Sequence, residues 1–320
     1  MNKLVLILLS LTLGVACNRK ALTTKATPQN CYVSGSAYFY DSLMFANNKQ
    51  KSYDTTQIDK LLDSRFSKRS INIAKDMGIE DFLCEFVRQE SVADSNAPNI
   101  LSLKLDIQQR ISLANLEVIS MQDELECEIN RMQEAQKQLS AWMNNKNNKL
   151  TIYSLIVGSV ATFITFIAPN NEAISEQEQS IGIIGAVATT YFSFNALILH
   201  KKIKLNHQRN HLKDIYKMPL HSQIYAPFLW SFLTKKFIQD QKMTSGIELL
   251  QKSWLALEYP TAYGDKQYQK KLDLFISEGG NYNEDDLAAR IEMYKSIKQE
   301  IGLINYDLKR LEQEMIIGKK

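Results

Sequence analysis

The sequence predicts an all-α protein, an elongated helical bundle or coiled coil that carries a two-helix transmembrane hairpin. Three observations lead there. Glycine and proline are scarce, 12 and 6 in 320 residues, so long stretches lack the residues that break helices and punctuate β-turns. Two segments repeat apolar residues at spacings of three and four, the pattern of a helix that buries one stripe. Two runs, Thr151 to Ala168 and Ser180 to Leu199, carry no charge over 18 and 20 residues. As helices they would be about 27–30 Å long, close to the hydrocarbon thickness of a bilayer.

Composition narrows the class further. Charged residues make up 23% and hydrophobic residues 45% of the chain, values of an ordinary folded protein. The length admits one large domain or two small ones. A formal charge of +3 is too small to point to nucleic acid, and no aromatic-and-basic motif asks for it.

Residues 1–17 read as a leader. Lys3 makes a basic start, Leu4 to Leu13 is an apolar run broken by Ser10 and Thr12, and Gly14-Val15-Ala16-Cys17 follows. Basic, apolar and small residues in that order form a secretory signal. Small residues ahead of a cysteine make these 17 positions resemble a bacterial lipoprotein signal, although Gly14 stands where a larger aliphatic is usual. The resemblance implies that Cys17 becomes the acylated (palmitate-bearing) first residue of the mature chain, and it covers nothing beyond. Of the other cysteines, Cys31 and Cys84 form a permissible disulfide if the chain is exported. Cys127 lies in a heptad-like stretch and is read as a small buried side chain.

Along the rest of the chain, 18–54 reads as a polar tether and a small irregular cap. Residues 55–98 form a short helical region in which Gly78 is a plausible helix stop. A long coiled-coil-like helix covers 99–150, with a seam of Ile111, Ala114, Val118, Met121, Leu125, Ile129, Met132 and Leu139. The hairpin occupies 151–199, as helices 151–168 and 180–199. Small residues recur every fourth position: Ser154, Gly158 and Thr162 in one helix, Gly182, Ala186 and Thr190 in the other. Such stripes let two backbones approach closely, so these six are the expected packing face.

A basic membrane-flanking helix is expected over 200–218, where Lys201, Lys202, Lys204 and Arg209 would meet lipid headgroups. Short amphipathic helices fill 219–282. The C-terminal coiled-coil helix, 283–320, starts at an Asn283–Asp286 cap. Its seam is Leu287, Ile291, Tyr294, Ile297, Ile301, Ile304, Leu308, Leu311 and Met315.

Signals for chemistry are weak. His200, His207 and His211 would share a helix face, but the glutamate of a zinc-protease motif is missing and Lys204 crowds the same face. Acids such as Asp59 with Asp63, or Glu80, Asp81 and Glu85, sit on solvated faces. No phosphate loop, nucleophile elbow or cysteine–histidine motif occurs. The expectation is therefore no catalytic residue, no metal and no cofactor.

An exported N-terminal region would put the acidic turn, 170–179, on the cytoplasmic side. The positive-inside rule predicts the reverse, because Lys146, Lys149 and the lysines after His200 flank the hairpin. The leader emerges first, which favours export, with the N-terminal region on the periplasmic side of an inner or outer envelope membrane. The leading expectation is thus an envelope lipoprotein, anchored at Cys17, that acts as a structural or interaction component of a membrane complex. Its partners would be the bilayer and either other envelope proteins or itself through coiled coils. The alternatives are a membrane-inserting pore former, resembling helical toxins of the cytolysin A type in layout only, and a cytoplasmic-facing membrane adaptor.

Overall fold

Beyond Pro98 the stretch to Ile167 contains no proline and a single glycine, Gly158. Accordingly Pro98–Ile167 forms one 70-residue helix, opening on a proline whose fixed φ suits the first turn. It passes through the polar NNKNNK stretch, 144–149, which contains nothing that stops a helix. The computed structural model describes residues 22–23, 31, 60–92, 98–167, 185–195, 201–207, 209–239, 242–255 and 266–318.

In chain order the elements are β1 (Leu22–Thr23), α1 (Lys68–Asp76), α2 (Glu80–Val92), the long helix α3 (Pro98–Ile167), α4 (185–195), β2 (Ile203–Asn206) and α5 (His211–Lys217). Then follow α6 (Pro227–Thr234), β3 (Lys236–Gln239), β4 (Lys242–Ser245), α7 (Gly246–Leu255), α8 (Lys266–Ile276), β5 (Gly279–Tyr282), α9 (Glu284–Gly302) and α10 (Ile304–Ile317). The chain divides into two units. The first comprises Met1–Ala26, Gln133–Leu205 and Gly280–Ala288; the second comprises Thr27–Met132, Asn206–Gly279 and Ala289–Lys320.

The second unit has a helical core. Ile111, Ala114, Val118, Met121, Leu125 and Ile129 of α3 are buried, as are Tyr294, Ile297 and Ile301 of α9 and Ile304, Leu308, Leu311 and Met315 of α10. Alongside the apolar contacts, Gln122 donates to the Lys298 carbonyl at 3.3 Å and Lys298 reaches Glu126 at 2.9 Å. Helix α1 is closed at both ends. Ser67 caps its start, with Oγ accepting from the Ser70 N–H at 3.4 Å. At its end Gly78 takes φ 66°, while Gly78 and Ile79 donate to the carbonyls of Lys75 and Ala74 at 3.0 and 2.9 Å. That paired closure needs a residue free of the Cβ penalty. The C-terminal coiled-coil stretch is two helices, not one. Gly302 and Leu303 interrupt it, with Leu303 donating to the Glu300 carbonyl at 3.1 Å, yet the buried seam continues through Ile301 and Ile304.

The first unit contains a sheet of order β1-β2-β5 and the helical pair made by the end of α3 with α4. Strand β1 runs parallel to β2, with Leu22 opposite Ile203 and Thr23 opposite Lys204. Ile203 and Leu205 are buried while Lys204 and Asn206 face out. Helix α9 starts at a reciprocal cap: Asp286 N–H donates to Asn283 Oδ1 at 2.7 Å, and Asn283 N–H to Asp286 Oδ2 at 3.1 Å. The second sheet, in the other unit, is the hairpin β3–β4.

Two expectations need correction here. The fold is mostly helical but not all-α, since short strands form two small sheets. Among the described residues, no helix is long and apolar enough to cross a membrane, so the transmembrane hairpin is withdrawn. An uncharged run in a sequence reports hydropathy, not the length of helix that carries it. The expected basic helix over 200–218 is likewise a strand followed by the seven-residue α5. Ile203, Leu205 and His207 alternate with Lys204 and Asn206, a two-residue period that the seven- and four-residue histidine spacing obscures.

The helical pair packs on small residues, partly those expected. Ser154 Oγ lies 3.2 Å from Ser193 Oγ, and a Cβ placed on Gly158 would sit 3.6 Å from Thr189 Oγ1. A Cβ on Gly185 would overlap that of Ala161. Thr162, Ala186 and Thr190 are exposed, and the two threonines turn their hydroxyls back to the carbonyls of Gly158 and Ala186. Gly182 lies outside the described residues. The contact face of α4 is therefore Gly185, Thr189 and Ser193, one helical phase away from the expected stripe. Gly185→Val should destabilise this pair by about 1–3 kcal/mol, the usual cost of overpacking. Amide hydrogen exchange within 185–195 should speed up in the variant; unchanged protection would contradict the packing described.

Candidate functional site

Three residues of α3, Glu124, Glu128 and Arg131, lie four and three positions apart and so share one helix face. In the second unit that face meets Arg209, Asn210 and His211 at the start of α5, Tyr225 from the following loop, and Arg290 and Tyr294 of α9. Glu128, Asn210, His211, Arg290, Tyr225 and Tyr294 are all buried, and Arg290 and His211 show no exposed surface.

Its bonds are specific. Arg209 donates to Glu124 Oε2 at 2.9 Å and to the Ile224 carbonyl. His211 Nε2 lies 3.1 Å from Glu124 Oε1, and its ring is met edge-on by Tyr225 and Tyr294, at 5.8 and 5.6 Å between centroids. Tyr225 donates its hydroxyl to the His211 carbonyl at 3.2 Å. Arg131 holds Glu128 at 2.6 Å and the Asn206 carbonyl at 3.1 Å. Arg290 donates to the Phe275 carbonyl at 2.6 Å, to Asn210 Oδ1 at 3.0 Å and to the Tyr294 hydroxyl at 3.1 Å. Asn210 in turn donates to the carbonyls of Phe275 and Ser277 at 2.8 and 2.7 Å. Asn210 and Arg290 thereby satisfy carbonyls at the C-terminal end of α8, where a helix leaves its last acceptors open.

Burial dominates the electrostatics. It raises the Glu128 carboxyl above its ordinary range, against the pull of Arg131 and, more weakly, His211 and Arg290. His207 is pushed down to about 2, chiefly by burial and then by Arg290 and Arg131. An unfolded histidine takes up a proton near pH 6.5, whereas folded His207 stays neutral far below that. Its contribution to stability is therefore complete above pH 6.5 and shrinks as pH falls, by up to about 1.4 kcal/mol per unit. Glu128, whose folded carboxyl is raised, acts in the opposite sense and is common to wild type and variant. His207→Gln should thus lose less stability than wild type between pH 7 and 5 in urea titrations. Parallel losses would contradict this assignment.

The remaining expected sites fall as follows. Cys17, Gly182 and His200 lie outside the described residues. Cys31 pairs with Cys127 across a Cα–Cα distance of 5.4 Å, not with Cys84. Cys84 is a free, buried thiol on the inner face of α2 beside Leu83, Phe86 and Val87, and burial, with Glu80 nearby, pushes it up to about 11. Arg209 is not a headgroup contact, because Glu124 and the Ile224 carbonyl hold it. Lys202 and Lys204 are exposed, and Lys201 lies 5.1 Å above the Trp142 ring. Among the described residues no group of histidines, cysteines and acids could hold a metal ion.

Glu124, Glu128 and Arg290 escaped the sequence reading, although a signal was there. Arg290 stands three after Leu287 and four before Tyr294, a seam position, and Glu128 directly precedes the seam residue Ile129. A charge at a seam position needs a buried partner. Chemically the cluster ties α3, α5, α8 and α9 together through internal bonds. No family model, curated protein or solved structure matches the chain.

Proposed function

We propose that the protein is an exported, lipid-anchored envelope protein whose helical body serves as a structural and partner-binding element. The pairing of Cys31 with Cys127 carries this reading. Disulfides form and persist in oxidising compartments and are rare where thiols are kept reduced. Cys31 follows the lipoprotein-like leader by only 14 residues, so leader and disulfide call for the same compartment. The disulfide also weighs against the cytoplasmic-facing adaptor. The pore former relied on a membrane-crossing hairpin, and among the described residues no helix is long and apolar enough to supply one.

Two features favour an interaction role over catalysis. The charged groups of the buried cluster are engaged by other parts of the fold. The helical pair of the first unit also presents Ile152, Leu155, Ile156, Val160, Val187 and Phe194 to solvent, with Leu155 and Val187 67% and 65% exposed. Exposed apolar side chains on both helices are the kind of surface that serves as a contact face.

The test is fractionation of cells expressing the wild type or Cys17→Ser, with membranes washed in high salt. Wild type should remain on membranes and incorporate a labelled fatty acid, while Cys17→Ser should lose both properties. Acyl label retained by Cys17→Ser, or none in the wild type, would refute lipid anchoring at this cysteine.

A further inference from the structure

Strand β1 begins five residues after Cys17, so its first Cα lies within roughly 18 Å of the cysteine's however the intervening chain runs. The pairing of β1 with β2 is parallel, with Leu22 opposite Ile203. Leu22 thus lies within that reach of the anchor and beside Ile203, which stands between Lys202 and Lys204 in the sequence.

The β2 side of this pair is built as a basic rim. The two-residue period of β2 buries Ile203 and Leu205 and turns Lys204 outward, with Lys202 on the same side and also exposed. Lys201 holds its ammonium 5.1 Å above the ring of Trp142, a half-buried indole on α3. Strands β1, β2 and β5 contribute Leu-Thr, Ile-Lys-Leu-Asn and Gly-Gly-Asn-Tyr, so Lys204 is the one charged residue on them. Lysine and tryptophan side by side are the residue types that settle at a membrane–water interface.

We infer that Lys201, Lys202 and Lys204 form a docking surface for the anionic phospholipid headgroups of the membrane that holds the Cys17 acyl chains. The inference rests on the lipid-anchor reading and extends it. The acyl chains confine the β1–β2 edge near the bilayer, and the lysines then settle the first unit on it. One acyl signal plus a basic patch is the usual pairing for stable attachment.

The experiment uses the full mature chain with Cys17→Ser, which isolates the rim from the acyl chains. Vesicles of phosphatidylcholine alone, or with one-third phosphatidylglycerol, are sedimented with the protein. Binding should require phosphatidylglycerol, weaken as salt rises, and fall by about a hundredfold in Lys201→Gln/Lys202→Gln/Lys204→Gln. The salt series on the unsubstituted rim stands by itself should the triple variant not fold. Equal binding to both vesicles, or an unaffected triple variant, would overturn the rim. Displacement by inorganic phosphate at the same phosphate concentration would also overturn it, by making the lysines a small-anion site. Mass analysis of the N-terminal peptide from the wild type tests acylation separately. An unacylated Cys17 removes the anchor reading whatever the vesicles show.

Discussion

Replacing Arg290 with methionine should cost about 3–5 kcal/mol of folding stability, the usual penalty for removing one member of a buried charge network. The guanidinium has no exposed surface and donates to Phe275, Asn210 and Tyr294. Its loss leaves the Phe275 carbonyl one donor short and Asn210 Oδ1 without this partner, and it removes a positive charge that helps Glu128 stay ionised. Arg290→Lys should recover only part of the loss, because a lysine cannot divide its donors among three acceptors fixed by a planar fork. Asn210 and Arg290 both hold the Phe275 carbonyl, so a double substitution should cost less than the two single costs added. Urea unfolding of wild type, the Arg290 and Asn210 single variants and the double variant measures this. Additive costs, or an Arg290→Met loss under 1 kcal/mol, would remove the cluster from its place as a lock on the helices.

The second large effect is expected at the disulfide. Cys31 and Cys127 are 96 residues apart, and closing a loop of that length restricts the unfolded chain by roughly 4–5 kcal/mol on the loop-entropy relation. Cys31→Ser/Cys127→Ser should lower the melting temperature by about 10 °C or more. A thiol reductant should lower wild type by the same amount and leave the double variant unaffected. Cys84→Ala keeps the disulfide, so it should remain sensitive to the reductant. Insensitivity of wild type and Cys84→Ala alike would mean that Cys31 and Cys127 are not joined.

Residues that line a buried helix face were legible in the sequence. The seam read on α3, from Ile111 to Leu139, is buried, as is the seam from Leu287 to Met315. A stripe at helical spacing reflects burial directly, and burial dominates the stability of such helices. Even the break between α9 and α10 leaves that stripe intact. The Asn283–Asp286 cap was also legible, because its bonds span three residues.

What depended on distant partners was not legible. Cys31 was matched with Cys84 and Cys127 was read as a buried side chain, because sequence spacing does not tell which helix face lies near Cys31. Arg209 stood among lysines and read as one more surface cation, whereas Glu124, 85 residues before it, makes it part of the core. The small residues of 185–195 occupy more than one helical phase, and only the position of Ala161 decides that Gly185 is at the contact. The hairpin illustrates the limit of hydropathy, which says that a segment avoids charge but not what covers it. The first strand was invisible for another reason: two residues, Leu22 and Thr23, carry no periodicity.

The most direct test of an exported, lipid-anchored protein is a non-reducing peptide map of the mature chain, purified from its own cells with free thiols blocked at lysis. A peptide linking Cys31 to Cys127 should appear, Cys84 should react only after unfolding, and the N-terminal peptide should begin at an acylated Cys17. A chain that keeps residues 1–16, with Cys31 and Cys127 both blocked as free thiols, would contradict it.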